Sequence, residues 1–166
     1  CSVTVVPATV SAEEILSDSP DGLVLPNGPG DPAENKYQIG QLEKLLEKLP
    51  IFGICLGHQL LALAAGSRTI KLQYGHRGAN QPVRDLSGTR TYITSQNHGY
   101  AVDNASIKCG KLLFQNANDG TCEGIDYPDL MAFSVQFHPE ASAGLLDTSF
   151  LFDRFIQMMA REGRSR

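Results

Sequence analysis

Apolar residues in the first half of the chain follow two alternating rhythms. Short runs of β-favouring or apolar residues at 3–6, 22–25 and 51–54 read as strands. The run at 22–25 is short enough to be a buried strand, ended by the turn cluster Pro26-Asn27-Gly28-Pro29-Gly30. Between these runs the apolar positions return every three or four residues. Ile39, Leu42, Leu45, Leu46 and Leu49 mark one face of a helix over residues 33–49, closed by Pro50. Residues 56–65 form a second helix, stopped by Gly66, and Ser11 with Glu14 three residues on forms a capping box that opens a shorter one. Strand runs alternating with helical runs predict a parallel α/β sheet.

The rhythm changes in the second half. Short strands are expected at 69–74, 90–95, 111–114, 123–126 and 132–136, separated by Gly, Asn and Asp turns. Leu151, Phe152, Phe155, Ile156 and Met159 then fall on one helical face, whose simplest use is core packing. The domain is expected to span residues 1–160, with 161–166 as a polar, disordered tail.

Composition narrows the function classes. A chain of 166 residues with 42% apolar and 19% charged residues has the size and make-up of one globular domain. A formal charge of −4 supplies no basic field for nucleic acid or an anionic membrane. The apolar stretch at 60–65 is far too short to span a bilayer, and no basic leader followed by an apolar run is visible. Cys1, Cys55, Cys109 and Cys122 show no paired spacing, which favours reduced thiols, a cytoplasmic setting and no structural zinc. Cys1 is not an initiator Met, so processing, trimming or a longer parent chain is expected.

Four segments carry candidate chemistry. Gly53-Ile54-Cys55-Leu56-Gly57 sits between a strand and a helix and has the layout of a nucleophile elbow. There a helix N-terminus would favour thiolate at Cys55, and the Leu56 N–H would point where an oxyanion forms. A buried cysteine in a βα turn is the equally available reading of the pentapeptide alone. His138-Pro139-Glu140 follows a strand; residues two apart in extended chain share a side, so Glu140 can orient His138 while His138 takes a proton from Cys55. A nucleophile elbow and a distant His with a carboxylate two residues on strengthen each other. The 27–32 segment NGPGDP offers amides at Gly28 and Gly30 only, since Pro29 has none; a rigid turn is its plainer reading. Residues 95–100, SQNHGY, read as a polar turn. A metal site centred on His98 is not expected, because the other histidines, His58, His76 and His138, lack metal-like spacing with cysteines or acids.

These segments together resemble the class I, triad-type glutamine amidotransferases. Within that family they are most similar to the C-terminal glutaminase domain of the carbamoyl-phosphate synthase small subunit. The matching stretches are NGPGDP at 27–32, FGICLGHQLLALAAG at 52–66, YGHRGANQPV at 74–83, SQNHGYAV at 95–102, FSVQFHPEASAG at 133–144 and LFDRF at 151–155. The resemblance implies an open, mostly parallel α/β sheet flanked by helices, with extra short antiparallel strands in the second half. It implies Cys55 as nucleophile, His138 as general base and Glu140 as its orienting partner. It also implies glutamine binding by Gly28, Gly30, Leu56, Gln59, Asn97, Gly99 and Tyr100, with oxyanion amides from Gly28 and Leu56.

The implied reaction converts L-glutamine to glutamate and ammonia with no metal or organic cofactor. Ammonia would pass to a large synthetase subunit or domain, which would itself use ATP and metal ions to make carbamoyl phosphate for arginine or pyrimidine synthesis. Family members usually carry a βα unit before residue 3, and carbamoyl-phosphate small subunits carry a further N-terminal domain; both are absent from these residues. A silent docking module of the synthetase is one alternative expectation. An amidotransferase of the same class serving another acceptor is the other, against which GHRGANQPV and QNHGYAV count.

Overall fold

The computed structural model describes residues 1–141 and 148–163. Seven strands form one sheet in the order β1-β2-β7-β6-β5-β3-β4. They are β1 (Leu23–Leu25), β2 (Ile51–Ile54), β3 (Thr69–Asp85), β4 (Thr91–Val102), β5 (Lys111–Asn116), β6 (Cys122–Tyr127) and β7 (Ala132–Val135). The helices are α1 (Ala12–Ser17), α2 (Lys36–Leu45), α3 (Leu56–Ala64) and α4 (Phe150–Gly163). This is the expected open α/β sheet flanked by helices. Its parallel part is confined to β1, β2 and β7, whereas β3 to β6 join antiparallel and β6 runs antiparallel to β7.

The centre of the sheet is buried on both faces, which explains why β2 reads as an unbroken apolar run. Successive residues of β2 serve opposite cores. Ile51 joins Leu42, Leu45, Leu49 and Leu61 beneath α2 and α3. Phe52 joins Phe114, Phe133, Phe137, Leu151 and Phe155 beneath α4. Phe52 and Phe133 are register partners and stack with centroids 4.4 Å apart. The α4 stripe packs through Leu151 and Phe155 with Phe152 and Met159 beside them. Ile156 lies outside it, 47% exposed.

Several sequence expectations are corrected. Residues 3–6 form no strand: Val3 and Val5 are exposed, and among the described residues no strand pairs with them. β-Branched residues favour a pleated surface only where a neighbouring strand supplies one. β1 is half-buried rather than buried, because it stands at the sheet edge. The predicted 33–49 helix is shorter. A 3₁₀ turn, Pro32–Glu34, precedes α2, and Glu47 has a positive φ before Pro50. Residues 161–163 continue α4 rather than forming a tail, while 164–166 lie outside the described residues. The capping box stands as expected: Ser11 Oγ accepts from the Glu14 N–H, and Ser11 N–H donates to Glu14 Oε2 at 2.8 Å.

The largest departure is β3, which runs on to Asp85 through a segment read as turn. With β4 it makes a long antiparallel arm, irregular between Lys71 and His76 and between Gly78 and Gln81. Gly75 and Gly78, both at positive φ, supply the backbone for those irregularities. The arm pairs His76 with His98 and Arg77 with Asn97, so two distant motifs become cross-strand neighbours. Among the described residues no helix is long and apolar enough to cross a membrane.

Candidate active site

Cys55 occupies the turn between β2 and α3 with φ 53° and ψ −103°, a left-handed conformation rare for a non-glycine residue. Strain of this kind costs on the order of 1–3 kcal/mol and persists where the surroundings fix it. Here the Cys55 N–H donates to the Val135 carbonyl at 2.9 Å, and the Gly57 N–H to the Pro26 carbonyl at 3.2 Å. The two flanking glycines are demanded by contact. A Cβ at Gly57 would lie 2.1 Å from the Leu25 carbonyl oxygen, and one at Gly53 would lie 2.7 Å from the Gly57 oxygen. The elbow is therefore held by close backbone approach to β1 and β7.

Cys55 opens into a cleft of about 410 Å³. Gly28, Gly30, Gln59, Asn97, Gly99, Tyr100 and His138 line the same cleft. Eight sequence-predicted site residues, Cys55 included, are thus brought together from β1, α3, β4 and the end of β7. Leu56 is placed differently. Its N–H acts on the Cys55 sulfur, and its side chain turns towards an adjoining apolar groove and crowds Gly28. Glu140 stands behind His138, with its Oε1 2.9 Å from His138 Nδ1. The His138 N–H donates to the Ser95 carbonyl at 2.9 Å, which ties this segment to β4. Residues 142–144, at the end of the last motif, lie outside the described residues.

The electrostatics correct one expectation. Burial pushes the Cys55 thiol up to about 11, so the resting group is a thiol and not a thiolate. The Leu56 N–H and the Gln136 side chain pull the other way, while the Glu140 and Glu123 carboxylates add to the rise. A helix N-terminus is present, but desolvation outweighs it.

Sequence reasoning missed Asn27, Pro29, Arg77 and His98 as cleft walls. It also missed a buried polar array behind them. His98 is pushed down to about 4 by burial, and His76 is raised to about 9, chiefly by its contact with Glu123. His76 Nε2 is 2.9 Å from Asp119 Oδ2, and its Nδ1 is 3.3 Å from Glu123 Oε1 but out of line for a hydrogen bond. His76, His98 and Glu123 each offer one ligating atom within 4.8 Å of the others. They lie far apart in sequence: the arm pairs His76 with His98, and Glu123 comes from β6. His58, fully buried with Nδ1 2.8 Å from Ser134 Oγ, is a core group.

Residues 1–158 match the glutamine amidotransferase class-I family. The chain is 55% identical over 161 residues to the carbamoyl phosphate synthase small chain of Staphylococcus epidermidis, covering 96% of this chain and 44% of that protein. It is 56% identical over 161 residues to the protein of the same name from Oceanobacillus iheyensis, with the same coverage. The chain thus spans about half the length of the curated relatives it matches. Among solved structures, a putative GMP synthase component from Thermoplasma acidophilum superposes with TM-score 0.82 at 25% identity, over 98% of this chain and 84% of that one. A glutamine amidotransferase from Thermotoga maritima gives TM-score 0.66 at 21% identity, over 88% and 66%, and speaks to the fold alone.

Proposed function

The chain belongs to the class-I glutamine amidotransferase family, and from that premise we propose that its cleft hydrolyses the side-chain amide of L-glutamine. The observation that carries the reading is the opening of Cys55 and His138 into one cleft, with Glu140 bonded to the far side of the His138 ring. Glu140 at Nδ1 leaves His138 Nε2 as the nitrogen that serves the reaction.

Since the resting Cys55 is a thiol, attack and deprotonation go together. His138 takes the Cys55 proton as the sulfur bonds to the amide carbon. The tetrahedral oxyanion is met by the N–H groups of Leu56 and Gly28, each such donor contributing roughly 3 kcal/mol. The carbon–nitrogen bond then breaks, and His138 returns the proton to the departing ammonia. Water, deprotonated by the same His138, attacks the thioester; glutamate leaves and the thiol is restored. These steps use protein groups and water alone.

The relatives' name, carbamoyl phosphate synthase small chain, supports a further step. Ammonia passes to a large synthetase partner that consumes it with ATP and metal ions. Transfer through protein keeps ammonia unprotonated, and so nucleophilic. Glutamate release from glutamine, measured for the wild-type protein and for Cys55→Ser, tests the hydrolysis. Turnover that survives Cys55→Ser would exclude this reading.

A further inference from the structure

A continuous line of buried polar groups links Glu123 on β6 to the elbow. Glu123 is fully buried. Its Oε1 accepts from Asn116 Nδ2 at 3.1 Å and its Oε2 from Gln96 Nε2 at 3.0 Å. Gln96 Oε1 meets His98 Nε2 at 3.0 Å, and His98 Nδ1 donates to the Tyr100 carbonyl at 2.8 Å. That carbonyl also accepts from Gln59 Nε2 at 2.8 Å, and Gln59 donates again to Gln136 Oε1 at 2.9 Å. The Gln59 backbone N–H also donates to the Cys55 carbonyl at 3.2 Å, which joins the line to the elbow. Three members of this line, Gln59, His98 and Tyr100, line the same cleft as the glycine loop at 27–30.

We propose that Glu123 and Gln96, which do not line the cleft, are positioning residues that fix His98 and the Tyr100 carbonyl in the wall receiving the substrate. The inference rests on the glutaminase reading and names how that site is held. Its basis is hydrogen-bond accounting. The Tyr100 carbonyl can only accept, and Gln96 Oε1 can only accept while its Nε2 serves Glu123. Both ring nitrogens of His98 therefore face acceptors, although burial favours a ring carrying one N–H. One additional proton settles the conflict. With His98 carrying a single N–H, that proton sits on Glu123, whose carboxyl is raised by burial, and the Gln96 amide is turned over, so that it donates to His98 and accepts from Glu123. That arrangement runs through Gln96, whose orientation Glu123 sets, and without Gln96 a lone pair of His98 faces nothing that can donate to it. An unsatisfied buried polar group of this kind is expensive, and the strand carrying it would move to find water.

His76 completes the device from the outer side. Flanked by Glu123 and Asp119, it holds a positive charge beside a carboxyl that has no access to solvent. A divalent cation held by His76, His98 and Glu123 is the competing occupant. It would have to displace the proton that His76 holds between Asp119 and Glu123.

The test is glutamine hydrolysis by the full-length protein carrying Gln96→Met, Glu123→Ala or Glu123→Gln. Gln96→Met keeps the volume and removes the bonds to Glu123, His98 and Thr94, so KM for glutamine should rise about tenfold while kcat stays within about threefold. Glu123→Ala should act in the same direction. Glu123→Gln, which keeps the length and an N–H to donate to the Gln96 amide, should recover KM to within about threefold of wild type. Should Glu123→Ala fail to fold, Gln96→Met decides. An unchanged KM in Gln96→Met, or a fall in kcat with KM unchanged, would overturn the proposal. So would one equivalent of metal in the purified protein whose removal reproduces the KM effect. Wild-type protein that releases no glutamate would instead strike the glutaminase reading, and this inference would fall with it.

Discussion

His138 and Glu140 are separated by one proline and joined by a 2.9 Å contact between Nδ1 and Oε1. Pro139 keeps His138 out of helical geometry, and the bond from the His138 N–H to the Ser95 carbonyl fixes where the pair stands. The two residues should therefore fail unequally. His138→Asn removes the proton carrier, and glutamate release should fall by about 10²–10⁴. Glu140→Gln keeps an acceptor at Nδ1 and should cost about tenfold at most. Steady-state kinetics on both variants checks this, and equal losses would assign Glu140 a direct part in proton transfer.

The elbow glycines give a second expectation. Gly57→Ala would place a methyl group 2.1 Å from the Leu25 carbonyl oxygen, where backbone and not a flexible side chain must yield. Displacing β1 from α3 should cost about 2–4 kcal/mol and disturb the cleft at Gly28. Gly40, with open space around its Cβ position and a place inside α2, is the control. Gly40→Ala should be neutral or stabilising by up to about 1 kcal/mol. Chemical denaturation of the two variants separates these outcomes.

Acid sensitivity follows from the buried histidines. His58 is lowered to about 3 and His98 to about 4 by burial. An unfolded chain binds protons at these rings near pH 6.5 and the folded one does not. Their contribution is fully present above about pH 6.5 and is lost as pH falls towards 3. His76, raised to about 9, has the opposite sign: its contribution is present below about 6.5 and lost as pH climbs to 9. Thermal melts should show stability falling on both sides of neutrality. His58→Asn, which can keep a bond to Ser134 without titrating, should flatten the acid limb. An acid limb unchanged in that variant would remove His58 from the account.

The sequence disclosed those parts of the molecule that depend on local pattern. The 3.6-residue spacing of Leu42, Leu45 and their neighbours marked α2, and the apolar run before Gly-x-Cys-x-Gly marked β2 and its elbow. What escaped depended on partners distant in the chain. Residues 3–6 have strand-like composition but no strand beside them. Residues 75–82 carry two glycines and a proline, yet extend because β4 lies opposite. The Glu123–Gln96–His98 array joins β6 to β4, two strands that are not neighbours in the sheet, and so leaves no motif. The protonation of Cys55 turns on burial, which no helix-end argument from sequence weighs.

If Cys55 is the nucleophile, competition among the four thiols must single it out. Cys1 is exposed, Cys109 half-buried, and Cys55 and Cys122 are buried. An electrophile that merely seeks accessible thiols should therefore find Cys1 first. The measurement is intact mass and peptide mapping after a brief exposure to a glutamine-shaped electrophile, at neutral pH and limiting reagent. A single adduct is expected, on Cys55, blocked by excess glutamine and slowed at least about a hundredfold in His138→Asn, because the thiol needs that base to react. Labelling that begins at Cys1, or spreads evenly over the four thiols with Cys55 unprotected by glutamine, would contradict it.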